Sequence, residues 1–363
     1  MRLLHVEDQE SYRDELKEKL GPRIKVTSYT GIGVDGKPLD LKPHETGNKP
    51  VEFQIVEQIK GYEKKHGEFD AVLLDTDLSG MKNGISQSSI RSACSIIGIP
   101  VCRYSKKGFV TPQERMRYLA TISREGSQSI LVPDDVLFGD GLAKWLLHIE
   151  DSFAKIRKAI EGTGSEKFVS PAELLEKIIR VPGISIDLSG YSGANFFFFG
   201  DLIEKTTQKN PTVLRNYSTQ FGYWVCNYVL LFPGPILNVG ATAAYLEVTK
   251  KDITNPEIEV LLEKAKYKGP FAALGPYYLK YHLDNMMSKL KEDSYANHFK
   301  SKGIKLAKRQ YKLDGSPSYY CVVNDEPIST KDSKGPFDWI PRGAHMCRIK
   351  KETYDKFGPW LNV

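Results

Sequence analysis

Cysteine is scarce in this chain of 363 residues and forms no pattern. The five thiols, Cys94, Cys102, Cys226, Cys321 and Cys347, are odd in number and widely scattered, and no two stand at C-x-x-C spacing. That argues against a disulfide scaffold and a zinc ribbon, and it fits reduced thiols in a cytoplasm. A secretory leader is also missing from view: the chain opens on Arg2-Leu3-Leu4-His5-Val6 and meets Glu7 and Asp8 at once. Charge is absent from Asn216 to Leu246. Gln220, Asn227, Asn238 and the Pro233-Gly234-Pro235 break lie within that segment, and in lipid they would leave backbone groups unpaired. The expectation is a buried core helix followed by a turn, and no membrane span.

What is present suffices for more than one core. With 40% apolar and 11% aromatic residues over 363 positions, the chain is expected to form two or three domains. The formal charge of +6 is uneven: residues 1–150 hold 21 Lys and Arg against 22 Asp and Glu, and the remainder hold 30 against 23. An anionic partner such as nucleic acid is therefore expected on the back part.

The first 160 residues alternate between short apolar runs and helical periodicity. Arg2–Val6, Ile24–Thr27, Phe69–Leu74, Ile99–Tyr104 and Ser129–Val132 read as strands. Glu10–Leu20, Val51–His66 (with Phe53, Ile55, Val56 and Ile59 inward), Ser86–Ile97, Thr111–Ile122 and Leu142–Ile160 read as helices, and 30–50 as a long loop. Five βα units predict an α/β domain, a doubly wound five-stranded parallel sheet covered on both faces. A linker is expected over 161–169, then a mainly helical region over 170–290 and a small basic α+β region over 291–363.

Two strand-like runs end in acids: Leu3-Leu4-His5-Val6-Glu7-Asp8 and Ala71-Val72-Leu73-Leu74-Asp75-Thr76-Asp77. Carboxyl ends of parallel strands converge on one edge, where ligands bind, and several carboxylates gathered there suit a hard cation such as Mg²⁺. Val6 to Arg13, Leu73 to Met81 with Gly84 one position late, and Ile99-Pro100-Val101 through Ser105 together resemble the response-regulator receiver family. The resemblance covers residues 1–160. It implies a receiver or flavodoxin-like fold, with Asp75 as phosphoacceptor, Mg²⁺ held by Glu7, Asp8, Asp75 and the backbone carbonyl of Asp77, and Ser105 on the phosphoryl oxygen. It also implies a histidine kinase or other regulatory protein as partner, and a regulator in place of a catalyst. The family's Lys at the end of the fifth strand is missing: Leu131-Val132-Pro133-Asp134-Asp135 stands there. Lys106 or Lys107 could substitute from the neighbouring strand end. Two alternatives use the same residues. One is a scaffold subunit of a multi-component complex, without phosphotransfer. The other is a Toprim-like Mg²⁺ nuclease built on Glu7, Asp75 and Asp77.

Beyond Phe168 the signals are local. Ser170-Pro171 is a helix start. Gly190-Tyr191-Ser192-Gly193-Ala194 misses the last Gly of a nucleophile elbow. Phe196–Phe199 reads as core. Residues 236–290 loosely resemble small helix-turn-helix modules, with helices over Gly240–Thr249, Pro256–Ala265 and Tyr277–Asp284, which would turn Lys250 and Lys251 toward phosphates. Lys289–Lys312 holds eight basic and two acidic residues with Tyr295, Phe299 and Tyr311 interleaved, so Lys302, Lys305, Lys308 and Arg309 are candidates for a nucleic-acid surface. Cys321, His345 and Cys347 lack a fourth metal ligand and read as buried thiols and a turn residue.

Overall fold

The structure, a computed structural model, describes residues 1–32, 49–81, 85–106, 111–162, 170–191, 210–307 and 318–359. Most of the 30–50 loop, Gly84, Lys107, most of the 161–169 linker, Ser192–Ala194, Phe196–Phe199, Lys308 and Arg309 lie outside the described residues. Contacts divide the chain into two units. The first comprises Met1–Gly108, Ser127–Lys167 and Phe198–Tyr223, and the second Phe109–Gly126, Phe168–Phe197 and Trp224–Val363.

In the first unit, five short apolar runs become β1 (Arg2–Val6), β2 (Lys25–Tyr29), β3 (Ala71–Asp75), β4 (Val101–Tyr104) and β5 (Ile130–Leu131). They form one all-parallel sheet in the order β2-β1-β3-β4-β5. Every residue of β3 is buried, as expected of a strand covered on both faces. Each fully buried Leu or Val there contributes about 1.5–3 kcal/mol. The helices are α1 (Glu10–Leu20), α2 (Val51–His66), α3 (Gln87–Ile97), α5 (Asp134–Phe138) and α6 (Leu142–Glu161), with α4 (Pro112–Glu125) assigned by its contacts to the second unit.

Period two sorts the strand side chains. Leu4, Val6, Val72, Leu74 and Val101 join Ile55, Val56 and Ile59 of α2 and Ile90, Ala93, Cys94 and Ile97 of α3 in one core. Leu3, Leu73 and Cys102 alternate onto the opposite face, where α1 and α6 pack against each other. Phe53, expected inward, is 45% exposed. On a helix it lies two positions from Ile55 and three from Val56, at the edge of the apolar stripe that those two and Ile59 define.

The amino edge of this sheet is closed by a later segment. From helix Pro211–Trp224, Arg215 Nη2 donates to Glu63 Oε1 (3.0 Å) and to the Phe69 carbonyl (2.6 Å), and Thr219 Oγ1 donates to the Gly98 carbonyl (2.8 Å). Val101 N–H donates to Tyr223 Oη at 2.8 Å. Three of these bonds satisfy backbone groups just before β3 or at the start of β4, and they leave the carboxyl edge to the acids.

The second unit is mixed α and β. Ser170 caps Pro171–Ile179, accepting from Glu173 N–H at 3.3 Å. The charge-free segment is buried: helix Pro211–Trp224 continues as a π-turn over Val225–Val229, followed by β6 (Ile236–Asn238) and helix Val239–Tyr245. Among the described residues no helix is long and apolar enough to cross a membrane. Tyr277–Leu279 is β7, paired antiparallel with β6, and the helix begins only at Lys280. The expected helix start at Tyr277 is thus corrected. Two aromatics and a leucine suit a strand, and pairing with β6 satisfies their backbone. A four-stranded sheet in the order β10-β11-β8-β9 is built from β8 (Tyr319–Cys321), β9 (Glu326–Ile328), β10 (Ser333–Lys334) and β11 (Cys347–Lys350), with helix Lys351–Phe357 after it.

Candidate acidic site at the carboxyl edge of the sheet

Strand register brings the acids together. Val6 lies opposite Leu74, so Glu7, one residue on, comes level with Asp75, and Asp75 pairs with Tyr104 on β4. Neighbouring parallel strands are about 4.8 Å apart, so Glu7, Asp75 and Tyr104 stand in a row across three strands on one face. Sheet order also reverses between β1 and β3, the place at whose carboxyl ends open α/β sheets bind their ligands. Glu7, Asp8 and Asp75 each offer a carboxylate oxygen within 4.8 Å of the others. Among the described residues, no other group of His, Cys, Asp and Glu gathers this way.

One cation sits among them. Lys106 Nζ is 2.9 Å from Asp75 Oδ2 and 3.0 Å from both Glu7 Oε1 and Glu7 Oε2. Two residues beyond Tyr104 on the same chain, it continues that strand's row. Tyr104 Oη donates to Glu7 Oε2 at 2.6 Å, and Gln9 N–H donates to Glu7 Oε1 at 2.8 Å. Because the Tyr104 hydroxyl proton goes to Glu7, His5 Nε2, 3.1 Å away, must be the donor to Tyr104. Burial pushes the His5 imidazole down to about 4, so it is neutral at pH 7. The Tyr12 ring lies 4.6 Å from Lys106 Nζ, in cation–π range.

The four charges are not equally comfortable. Burial opposes ionisation of Glu7, but the bonds from Tyr104, Gln9 N–H and Lys106 outweigh it and hold its carboxyl below the usual range. Burial pushes Asp75 up in spite of Lys106 and the Asp77 N–H, and it pushes Asp8 up with help from the Glu7 carboxylate beside it. Lys106 is held above the ordinary lysine range by its bonds to Asp75 and Glu7, which outweigh its own partial burial. Asp8 Oδ2 accepts from Gly80 N–H at 2.6 Å, while its Oδ1 is buried with no hydrogen-bond partner. A Cβ at position 80 would come within 2.5 Å of Asp8 Oδ2, so this approach of backbone to carboxylate requires glycine.

The expected residues divide. Glu7, Asp8 and Asp75 meet, and of the two substitute cations Lys106 reaches them. Asp77 stands outside the acidic group: its N–H donates to Asp75 Oδ1 (3.2 Å) and its exposed carboxylate accepts from Ser79 N–H (3.2 Å). Ser105 is half-buried between Tyr104 and Lys106. Tyr104, His5, Tyr12 and Gly80 carry no motif of their own, although period two along β4 links Tyr104 to Lys106.

In the second unit, Lys250 Nζ is tied to Asp325 Oδ2 (2.7 Å) and to the Asp325 carbonyl (3.1 Å), whereas Lys251, Lys302 and Lys305 are exposed. Cys321 Sγ accepts from Lys350 N–H at 3.2 Å, and Cys347 Sγ donates to the Pro233 carbonyl at 3.5 Å; both thiols are buried and free. No family model, curated protein or solved structure matches this chain.

Proposed function

We propose that the first unit is a divergent receiver-type regulatory domain, with Asp75 as its phosphoryl acceptor, and that it controls the second unit. The observation that carries this reading is the convergence of Glu7, Asp8, Asp75 and Lys106 at the carboxyl edge of the sheet. The β2-β1-β3-β4-β5 order, shared with flavodoxin-like folds, supports it.

The donor set fits Mg²⁺: three carboxylates, two of them with a buried oxygen that makes no hydrogen bond, against a single ammonium. Glu7, Asp8 and Asp75 would hold the ion, which when bound would supply positive charge for an anionic phosphoryl group. The chain's own residues do the rest. An Asp75 oxygen forms the O–P bond as the bond to the donor's leaving group breaks, and the electron pair of that bond departs with the donor. With no ion bound, Lys106 balances the charge of Glu7 and Asp75, from the end of β4 and not from the fifth strand, where the family's Lys is missing. Tyr104 and Gln9 fix Glu7, and Gly80 fixes Asp8.

The phosphoryl donor would be a histidine kinase or another regulatory protein, and the second unit would bind nucleic acid or a protein partner through exposed Lys251, Lys302 and Lys305. From Lys106 the chain passes into α4, which belongs to the second unit, where Arg115 Nε donates to the Val322 carbonyl at 3.2 Å. A change at Lys106 therefore has a covalent route to the effector. The nuclease alternative is less well supported, because the Asp77 carboxylate is engaged with Ser79 and stands outside the acidic group. Incubation with acetyl phosphate and Mg²⁺ tests the proposal: we expect one added phosphoryl group, lost in Asp75→Asn. Intact mass unchanged in the wild type, or still increased in Asp75→Asn, defeats it.

A further inference from the structure

We infer that Lys106 is a built-in occupant of the cation position, and that Lys106 and a divalent ion are alternative partners for the same oxygens of Glu7 and Asp75. The inference concerns regulation of the site just described and rests on its metal-binding reading.

Lys106 contacts three oxygens on two acids, Glu7 Oε1, Glu7 Oε2 and Asp75 Oδ2, at 2.9–3.0 Å. It does not flank the acids; it spans them. A Mg²⁺ ion takes its oxygens at about 2.0–2.1 Å. An ion drawing on Glu7 and Asp75 would therefore lie within a few ångströms of the ammonium, in a pocket where Glu7 and Asp75 have no solvent exposure. Like charges at that distance repel strongly when water is excluded. The two cations cannot share these oxygens.

The protein also holds a second contact for the displaced ammonium. The face of Tyr12, on α1, lies 4.6 Å from Nζ, and the Lys106 side chain is 24% exposed. The ammonium can leave the acids for the ring face and water without crossing the core. Asp8 completes the asymmetry. Its buried Oδ1 has no hydrogen-bond donor, so it offers a divalent ion an oxygen that the ammonium does not use. Glu7 and Asp75 face the ammonium, whereas Asp8 Oδ1 does not. Metal occupancy then sets whether Lys106 is bound to the acids or released, independently of any phosphoryl group.

The test is a Mn²⁺ titration of the full chain, followed by water-proton relaxation. Removing the competitor in Lys106→Met should tighten Mn²⁺ binding about tenfold or more, whereas Lys106→Arg, which keeps the charge, should stay within about twofold of the wild type. A second measurement needs no variant. Mg²⁺ should speed acylation of Lys106 in the wild-type protein, read by peptide mass spectrometry, because it frees the amine. Mn²⁺ affinity in Lys106→Met that is equal or weaker, or no binding in either protein, overturns the inference. So does Lys106 acylation that Mg²⁺ leaves unchanged or slows. Failure of acetyl phosphate to label Asp75, with Mn²⁺ binding tightened in Lys106→Met, would remove the receiver reading and leave this one standing.

Discussion

Both units contain a lysine and a tyrosine on one carboxylate, and the two clusters have opposite meanings. In the first, Tyr104 and Lys106 converge on Glu7; in the second, Tyr320 Oη donates to Asp325 Oδ1 at 2.8 Å and Lys250 reaches Asp325 Oδ2 at 2.7 Å. The second is a balanced pair at the β8–β9 turn, with side chains 41% and 44% exposed, and it staples a residue held at φ +54°. The first adds two further acids, has no exposure at Glu7 or Asp75, and leaves Asp8 Oδ1 and Asp75 Oδ2 buried without a hydrogen bond, the second facing Lys106 as an ion pair. A balanced exposed pair explains itself as structure. A buried surplus of negative charge is costly unless something else completes it, so the surplus, and not the motif, marks the functional site.

The largest expected difference comes from deleting the two lysines. Lys106→Met leaves Glu7 and Asp75 buried without their cation, and breaking such a pair costs about 3 kcal/mol. We expect that loss in chelator, with partial recovery in Mg²⁺, as a lower denaturant midpoint for the first unit. Lys250→Met should cost about 0.5–1 kcal/mol, as exposed pairs do. Equal losses would erase the contrast between the clusters. The tyrosines give a smaller version of the same comparison. Tyr104→Phe removes the donor to Glu7 Oε2 and leaves His5 Nε2 without a partner, for about 2 kcal/mol, whereas Tyr320→Phe should cost about 1 kcal/mol. Denaturant midpoints of the four variants decide whether the ranking holds.

Gly80→Ala sharpens the contrast at the metal-facing acid. The new Cβ would displace Asp8 Oδ2 and break its 2.6 Å bond from the Gly80 N–H. Because position 80 is exposed, stability should fall by only about 1 kcal/mol, while Mn²⁺ affinity falls about tenfold. Affinity left intact would detach Asp8 from the cation site.

Much of this frame was legible in residues alone, for identifiable reasons. The acids at the ends of β1 and β3 follow short apolar runs, and a parallel sheet brings such ends together whatever lies between them. The sequence offers Lys106 and Lys107 alike, and only the register of β4 with β3 selects the residue two beyond Tyr104. Tyr104 itself looked like an ordinary strand aromatic, because a buried hydroxyl partner carries no sequence signal. The return of helix Pro211–Trp224 to the amino edge was hidden as well: Arg215 and Thr219 act there on backbone carbonyls, and any chain supplies those. Tyr277–Leu279 failed as a helix start because its strand partner lies forty residues upstream, beyond the reach of local periodicity.

The smallest effect separates the sheet-edge acids from a half-buried carboxylate of the second unit by pH. Glu292 in the second unit is held down from 4.5 to about 2 by hydrogen bonds, chiefly from His298 Nδ1 at 2.9 Å and then Ser301 Oγ at 2.8 Å. A folded-state value below the unfolded one means that the unfolded chain takes up the proton first on acidification. The contribution is therefore fully present above the ordinary range and fades as pH falls through that range toward about 2. Glu292→Gln keeps the shape and removes the titration. We expect the stability of the variant to vary less steeply than the wild type's across that acid window and to run parallel to it above pH 5 or so. Ser301→Ala should flatten the same limb by a smaller amount, since it removes the second-ranked donor alone. A wild-type acid limb that neither substitution alters would give Glu292 no share in the acid sensitivity and leave Glu7 as the sheet-edge candidate, since Asp8 and Asp75 are pushed up and protonate at no cost to the fold.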